Sequence, residues 1–357
     1  MDLTSYRTLG RSGLVVSPLA LGTMTFGTDR WGASDDASRQ IFNRYMDLGG
    51  NLVDTADVYA GGRSETLIGQ YIADRQARDQ TVLSTKFTWN MNRGNPNAGG
   101  NGRKNIHRAL EQSLARLQTD YIDLYWLHFW DMVTPVEEVL ETMVSLVRAG
   151  KIRYYGLSDV PAWYATKLAV MAAERGLPRP IALQMEYSLV ERAIENEFVP
   201  AARETGMGIM PWSPLAGGFL SGKYQQDKPA GAPQGRLSGN NPFGQSKFNA
   251  RNWEIVQQLQ LLASELGTAP AQVALAWARQ KAGVDSVLVG AKTAAQFDDN
   301  LASLGVELSP EAMTRLDAIS AAPPMFPYSA FNADIRRNIF GGADVRAWPG
   351  TYKDGGK

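Results

Sequence analysis

The sequence has no cysteine and only two histidines, His107 and His128, in 357 residues. Without cysteine there can be no disulfide, no thiol catalysis and no thiolate metal site. Two histidines leave too few nitrogen ligands for a zinc centre, so no metal is expected. Charge of one sign is missing too: 36 lysines and arginines face 36 aspartates and glutamates, for a formal net charge of zero. With no basic surplus, neither nucleic acid nor an anionic membrane is expected as the main partner. No apolar run approaches membrane-spanning length. Asp2, Arg7 and Arg11 near the N-terminus leave no signal-peptide core, and together these absences point to a cytoplasmic chain. What remains, 44% hydrophobic and 20% charged residues, suits a large buried core.

An alternation organises that core. Residues 6–16 read as a hairpin around Gly10 and Gly13. Strand-like runs follow at 19–21, 51–53, 81–86, 122–127, 153–157, 181–184, 208–212 and 286–289. Helical patterns separate them, at 34–48, 64–74, 103–117, 135–149, 163–174, 197–204, 271–279 and 293–304. Ser34 suits a helix N-cap, with Asp35 and Asp36 in the first turn. Thr134, Pro135 and Glu137 read as a capping box with proline at the first helical position. Eight strands, each followed by a helix, predict a closed α/β (β/α)8 TIM barrel with an N-terminal β-hairpin. A doubly wound open sheet would carry a glycine-rich G-x-G-x-x-G turn after its first strand, where this chain has Gly22-Thr23-Met24. The beat fails between 213 and 250, a long Gly-, Pro- and Ser-rich loop after the seventh strand, before an extra helix at 253–266. A single domain is expected over 1–357, ending in an irregular tail at 321–357 that is rich in proline and aromatics.

In a barrel of this kind the chemistry gathers at the C-terminal ends of the strands. Those positions hold Asp54, Lys86, His128, Ser158, Gln184 and Trp212, with Tyr59 on the second loop. Four of them interlock. A free phenol has a pKa of ~10, and an adjacent cation favours its ionised form. Lys86 can be that cation and Asp54 can hold it. Tyr59 can then give a proton, and His128 can fix the reacting oxygen. Such a site protonates a carbonyl oxygen but has no nucleophile and no metal. A hydride from a nicotinamide cofactor fills the vacancy. A Schiff-base aldolase using Lys86 is the rival reading, and the nearby Asp54 argues against the neutral amine that it needs.

The run DTADVYAGGRSETLIG (54–69) resembles the D-T-A-x-x-Y-G-x-G-x-S-E segment of the aldo-keto reductase superfamily, with Ala60 in place of a glycine. STKF, LYWLHFWD, YYGLSD, LQMEYS and MPWSPLAGGFLSGKY resemble further segments in the family's order. The resemblance spans about 6 to 320. It implies an NADPH-dependent enzyme that reduces aldehydes or ketones, with Tyr59 as general acid, Lys86 and Asp54 tuning it and His128 orienting the carbonyl. NADH remains open as a second cofactor. Trp212 would stack on the nicotinamide, Ser158 and Gln184 would bind its carboxamide, and Gly22, Thr23 and Met24 would line the ribose side. Ser213, Pro214, Leu215, Lys223 and Arg236 would hold the pyrophosphate. Gly290, Lys292, Gln296, Asp299 and Asn300 would meet the adenosine and its 2′-phosphate. The chain departs from many relatives at Asp159, where they carry Asn or Arg, and at Gln296, where a large branch has Arg. Preference for NADP therefore rests on Lys292. Trp31, Trp89, Phe129 and Trp130 fall on loops that should wall a pocket for aromatic or extended apolar carbonyls. Potassium-channel β subunits share the fold and many motifs, which makes a cofactor-sensing regulatory subunit the alternative. They carry Asn at the position of His128.

Overall fold

Two short strands open the chain as an antiparallel hairpin, β1 (Arg7–Thr8) and β2 (Val15–Val16). The computed structural model describes residues 1–28, 32–226, 236–237, 245–323 and 325–345. Eight strands follow the hairpin: β3 (Leu19–Gly22), β4 (Leu52–Asp54), β5 (Val82–Phe87), β6 (Ile122–Leu127), β7 (Ile152–Ser158), β8 (Ala182–Glu186), β9 (Gly208–Trp212) and β10 (Val287–Val289). They form one parallel sheet in the order β10-β3-β4-β5-β6-β7-β8-β9. A single parallel bridge between Ile209 and Val284 brings the two edges together, so the sheet is a nearly closed barrel. Helices α1 (Asp35–Asp47), α2 (Arg63–Asp74), α3 (Arg103–Leu117), α4 (Val136–Arg148), α5 (Ala162–Glu174) and α6 (Ile194–Thr205) take up the crossovers. After β9 come α7 (Ala250–Glu265) and α8 (Pro270–Gln280), and after β10 α9 (Ala294–Leu301) and α10 (Pro310–Ser320). Among the described residues no helix is long and apolar enough to cross a membrane.

Both faces of each strand are buried, so the strands read as continuous apolar runs. The period of two still sorts them. Ala20, Leu52, Leu124, Trp126, Ala182, Met210 and Leu288 point inward and cluster with Leu9 and Val16 of the hairpin. Leu19, Leu21, Val53, Leu83, Tyr125 and Leu183 point outward, into the layer shared with the helices. The hairpin closes the N-terminal end: Arg11 N–H donates to Gly206 O at 2.8 Å, and Gly10 N–H donates to Asp285 Oδ2 at 2.7 Å. Gly10 sits in the left-handed region at φ 55°, where a Cβ would lie 2.4 Å from Ile181 O. The interior is thus filled and plugged from below, which leaves only the upper end open to chemistry.

Some local expectations change. Ser34 does cap α1, accepting from Ala37 N–H. Thr134 does not cap α4. Its hydroxyl donates to Asp131 Oδ2 at 2.6 Å, and Pro135 is the N-cap with no side-chain bond. The ionised carboxylate of Asp131 out-competes the helix end because it also accepts the N–H groups of Asn101, Val133 and Thr134. The extra helix begins earlier than its apolar pattern, at Ala250, because Asn249 caps it. Helix α10 was not expected at all. The chain divides into two compact units, 1–320 and 321–357. The second is not wholly irregular: Asn332 caps a short helix, α11 (Ala333–Ile339).

Inside the barrel, Trp126 is paired with a missing side chain. A Cβ on Gly156 would fall 2.3 Å from the Trp126 ring and 2.9 Å from Ala182 O. Gly156→Ala should therefore lower the unfolding free energy by about 1–3 kcal/mol, the usual cost of overpacking. In urea titrations, Gly156→Ala combined with Trp126→Leu should cost less than the two single changes added together. Strict additivity would show that the clash is absent.

Candidate active site

The upper end of the barrel carries four polar side chains that point inward. Register explains their meeting: Asp54 pairs with Ser84 across β4 and β5, and Ser84 and Lys86 are two apart and share a face. The Lys86 ammonium is fully buried. It donates to Asp54 Oδ2, to Thr55 O at 2.7 Å and to the Tyr59 hydroxyl at 3.2 Å. The other oxygen of Asp54 accepts from Ser84 Oγ at 2.6 Å and from Gln184 Nε2 at 3.1 Å. All three protons of the buried ammonium and both oxygens of the carboxylate thus have hydrogen-bond partners, as such a pair requires. Tyr59 opens a short turn that passes through left-handed backbone at Ala60, Gly61 and Gly62, which turns the chain back into α2. His128 follows β6, its ring edge-on to Tyr59 with centroids 5.9 Å apart. Its Nδ1 is buried and has no hydrogen-bond partner among the described residues. Beside it Thr88 holds a φ of 126°, and its hydroxyl donates to Asn101 while its Oγ1 accepts from His128 N–H.

Protonation follows from this packing. Burial alone would depress Lys86, but Asp54 and Tyr59 outweigh it and the amine is held above its ordinary value. A lysine so charged is no Schiff-base nucleophile. Burial raises Tyr59 more than Lys86 lowers it, so the phenol keeps its proton. The expected lowering by the cation is present but smaller, because Asp54 largely neutralises it. Burial, and then Lys86, hold His128 well below its ordinary value, leaving a neutral imidazole. A charged lysine, a protonated phenol and a neutral imidazole make a proton-donating site.

The remaining predicted positions spread around the same mouth. Ser158 and Gln184 are buried and paired in register. Thr23 is occupied, donating to Asp54 O at 3.0 Å, while Met24 is exposed and takes a contact from Arg236 at 3.4 Å. After Trp212 the backbone turns through left-handed conformations at Ser213, Ala216, Gly217, Gly218 and Gly222. The run, which includes Pro214 and Leu215, closes on itself in tight turns: the N–H groups of Ala216, Gly218 and Gly222 donate to Ser213 O, Leu215 O and Phe219 O. Lys223 is exposed and lies against Gly218, and partial desolvation lowers its pKa with no carboxylate among the causes. Gly22 and Gly290 approach closely, a Cβ on the latter falling 3.3 Å from Gly22 O. Gln296 accepts from Lys292 N–H at 3.0 Å, and Asn300 donates to Gly290 O at 3.3 Å. Asp299 lends its carbonyl to Gln272. The exposed cation of Lys223 and the close approach of Gly22 and Gly290 are the features of this rim compatible with an extended anionic ligand.

The aromatic wall is smaller than expected. Trp89 and Phe129 are exposed, their rings tilted with centroids 5.7 Å apart, and Trp89 lies edge-on to His128 at 6.3 Å. Trp130 packs instead on Trp163 and Tyr164 of α5. Trp31 lies outside the described residues. Two contributors escaped the sequence reading. Ser84 was signalled by its i, i+2 spacing from Lys86. Asp57 was not: it is buried, both carboxylate oxygens lack hydrogen-bond partners among the described residues, and it lies near Glu65, whose own oxygens are held by Thr85 and Arg116.

Comparison with known proteins follows the same lines. The model of the Aldo/keto reductase family matches residues 18–321. An aryl-alcohol dehydrogenase of Pestalotiopsis microspora is 34% identical over 325 residues, covering 88% of this chain and 82% of that one. A norsolorinic acid reductase of Emericella nidulans is 34% identical over 315 residues, 86% and 79% of the two chains. A protein of Oryza sativa subsp. japonica named "probable voltage-gated potassium channel subunit beta" is 35% identical over 332 residues, 89% and 97% of the two.

The state of Asp57 can be read from stability. Burial and then Glu65 push its carboxyl up to about 8, against the pull of Arg116. The unfolded chain would ionise it near ~4. Its contribution is therefore fully present below that value and lost as pH rises toward 8. Asp57→Asn should gain stability over the wild type by about 1.4 kcal/mol per pH unit through that window. Urea unfolding at pH 5, 6, 7 and 8 measures it, and a constant difference would mean that the carboxylate is already ionised in the fold.

Proposed function

The chain belongs to the aldo/keto reductase family, and we propose that it is an NADPH-dependent enzyme reducing aldehydes or ketones to alcohols. The observation that carries this is the Lys86 ammonium, bonded to the Tyr59 hydroxyl at 3.2 Å and anchored behind by Asp54. When bound, the nicotinamide cofactor supplies a hydride to the carbonyl carbon. The C=O electron pair then moves onto oxygen, and Tyr59 gives that oxygen its proton. Lys86 stabilises the tyrosinate left behind, and Asp54 keeps the lysine in place while the charge changes. His128 donates to the carbonyl oxygen and fixes it beside the phenol. Because these groups are pre-set, little reorganisation accompanies the developing alkoxide.

Trp212, Ser158 and Gln184 are assigned to the nicotinamide end, and the left-handed turn from Ser213 with Lys223 and Arg236 to the pyrophosphate. Lys292 at the start of α9, with its cap Thr293, is assigned to the adenosine 2′-phosphate, since a cation at a helix N-terminus favours an anion there. NADH is then the weaker ligand. Trp89 and Phe129 beside His128 favour aromatic carbonyls, in keeping with the aryl-alcohol named for one relative. The relative from Oryza supports a second reading, a cofactor-sensing regulatory subunit. Protein that binds NADPH yet turns over no member of a carbonyl panel would favour that reading.

Tyr59→Phe should reduce kcat for aldehyde reduction by roughly 10²–10⁴-fold, the range of general acid catalysis. NADPH binding, followed by tryptophan fluorescence, should change less than about twofold. Parallel loss of both would mean that the tyrosine holds the cofactor or the fold. Lys292→Met should weaken NADPH about tenfold and NADH little, the size of one charged contact. An unchanged ratio of the two dissociation constants would remove the phosphate assignment.

A further inference from the structure

Asp159 is the residue after β7, and it reaches across β8 to the end of β9. Its Oδ1 accepts from the Trp212 indole N–H at 3.1 Å. Its carbonyl accepts from Trp130 N–H at 3.2 Å, so the loop after β6 holds its backbone as well. The residue sits at φ 45°, an uncommon conformation outside glycine that persists when neighbours impose it. The charges facing it come from two strands: Lys86 on β5 and Glu186 on β8. Glu186 is itself held by Lys247, Nζ to Oε1 at 2.5 Å. The only group bonded to the Asp159 carboxylate is the neutral indole of Trp212, and no salt bridge neutralises it among the described residues.

We propose that Asp159 is a positioning residue that orients Trp212 and sets a negative charge beside the nicotinamide, so that the protein prefers the oxidised, positively charged ring. The inference rests on the cofactor placement proposed above. The two forms of the cofactor differ by one charge on that ring and share the rest of the molecule. The ratio of their dissociation constants therefore isolates the local charge. A unit negative charge set beside that ring in a partly screened site is worth about tenfold or more in that ratio. Burial and then Glu186 push the Asp159 carboxyl up to about 7, with Trp212 and Lys86 drawing it down. The charge is thus largely off at pH 6 and on at pH 8, and the preference should follow it.

Three variants of the full chain separate charge from packing. Asp159→Asn keeps an acceptor oxygen for the indole and loses the charge, Asp159→Glu keeps the charge, and Asp159→Ala loses both. NADP⁺ and NADPH are each titrated by calorimetry at pH 6 and pH 8. In the wild type, the dissociation constant of NADPH divided by that of NADP⁺ should rise severalfold between the two pH values. In Asp159→Asn it should stay flat and lie about tenfold below the wild type at pH 8. Asp159→Glu should retain the preference, and Asp159→Ala should match the asparagine ratio while binding both forms more weakly. A wild-type ratio in Asp159→Asn at pH 8, with both forms bound, overturns the inference and leaves the cofactor reading standing. Wild-type protein that binds neither form overturns the cofactor reading and this inference with it.

Discussion

The upper barrel depends on one buried ion pair, Lys86 with Asp54. An ammonium and a carboxylate taken out of water cost several kcal/mol each unless every lone pair and proton finds a partner. Here all three ammonium protons and both carboxylate oxygens have partners: each other, Thr55 O and Tyr59 for the lysine, and Ser84 and Gln184 for the aspartate. The partners come from β4, β5, β8 and the loop after β4, so satisfying the pair fixes those elements relative to one another. The geometry of Tyr59 follows from the same requirement, because the third proton of the ammonium has no other acceptor among the described residues. A site residue is thus placed by a demand for hydrogen bonding as much as by the backbone that carries it.

That demand can be met only in a rigid setting, and the lower barrel supplies one. Below the polar layer the inward side chains are apolar and close-packed, with Trp126 occupying the space that Gly156 leaves and the hairpin sealing the end through Leu9 and Val16. The order of layers along the barrel axis, plug, apolar filling, charged pair, phenol, therefore assigns one face to stability and the other to chemistry.

Much of this was legible in the chain. The β/α beat gave eight strands, and the last residues of those strands gave Asp54, Lys86, His128, Ser158, Gln184 and Trp212, because a buried strand that ends in a polar residue is rare without a reason. Ser84 could have been found from its spacing to Lys86. Other features depend on neighbours that local pattern does not carry. Thr134 has the residues of a capping box, yet Asp131 three positions earlier is the stronger acceptor. Trp130 sits in the right loop but finds Trp163 and Tyr164, a better apolar surface than an open mouth. The direction of the Tyr59 shift required knowing how far burial outweighs a cation already paired with Asp54. Asp57 looks like any turn aspartate until the helices close over it.

Burial acts on several ionisable groups here, and what differs is the company each keeps. Lys86 stays charged because a carboxylate lies against it; His128 stays neutral because its nearest charge is that same lysine. Tyr59 is held protonated by desolvation that its hydrogen bond to Lys86 only partly offsets. If the lysine were unpaired, burial would neutralise it, and the mouth would hold an amine nucleophile beside a phenol with no cation to receive its charge. Asp54 excludes that outcome. It converts a lysine that burial would make nucleophilic into a fixed cation, which is the state that the proposed proton transfer from Tyr59 to oxygen requires.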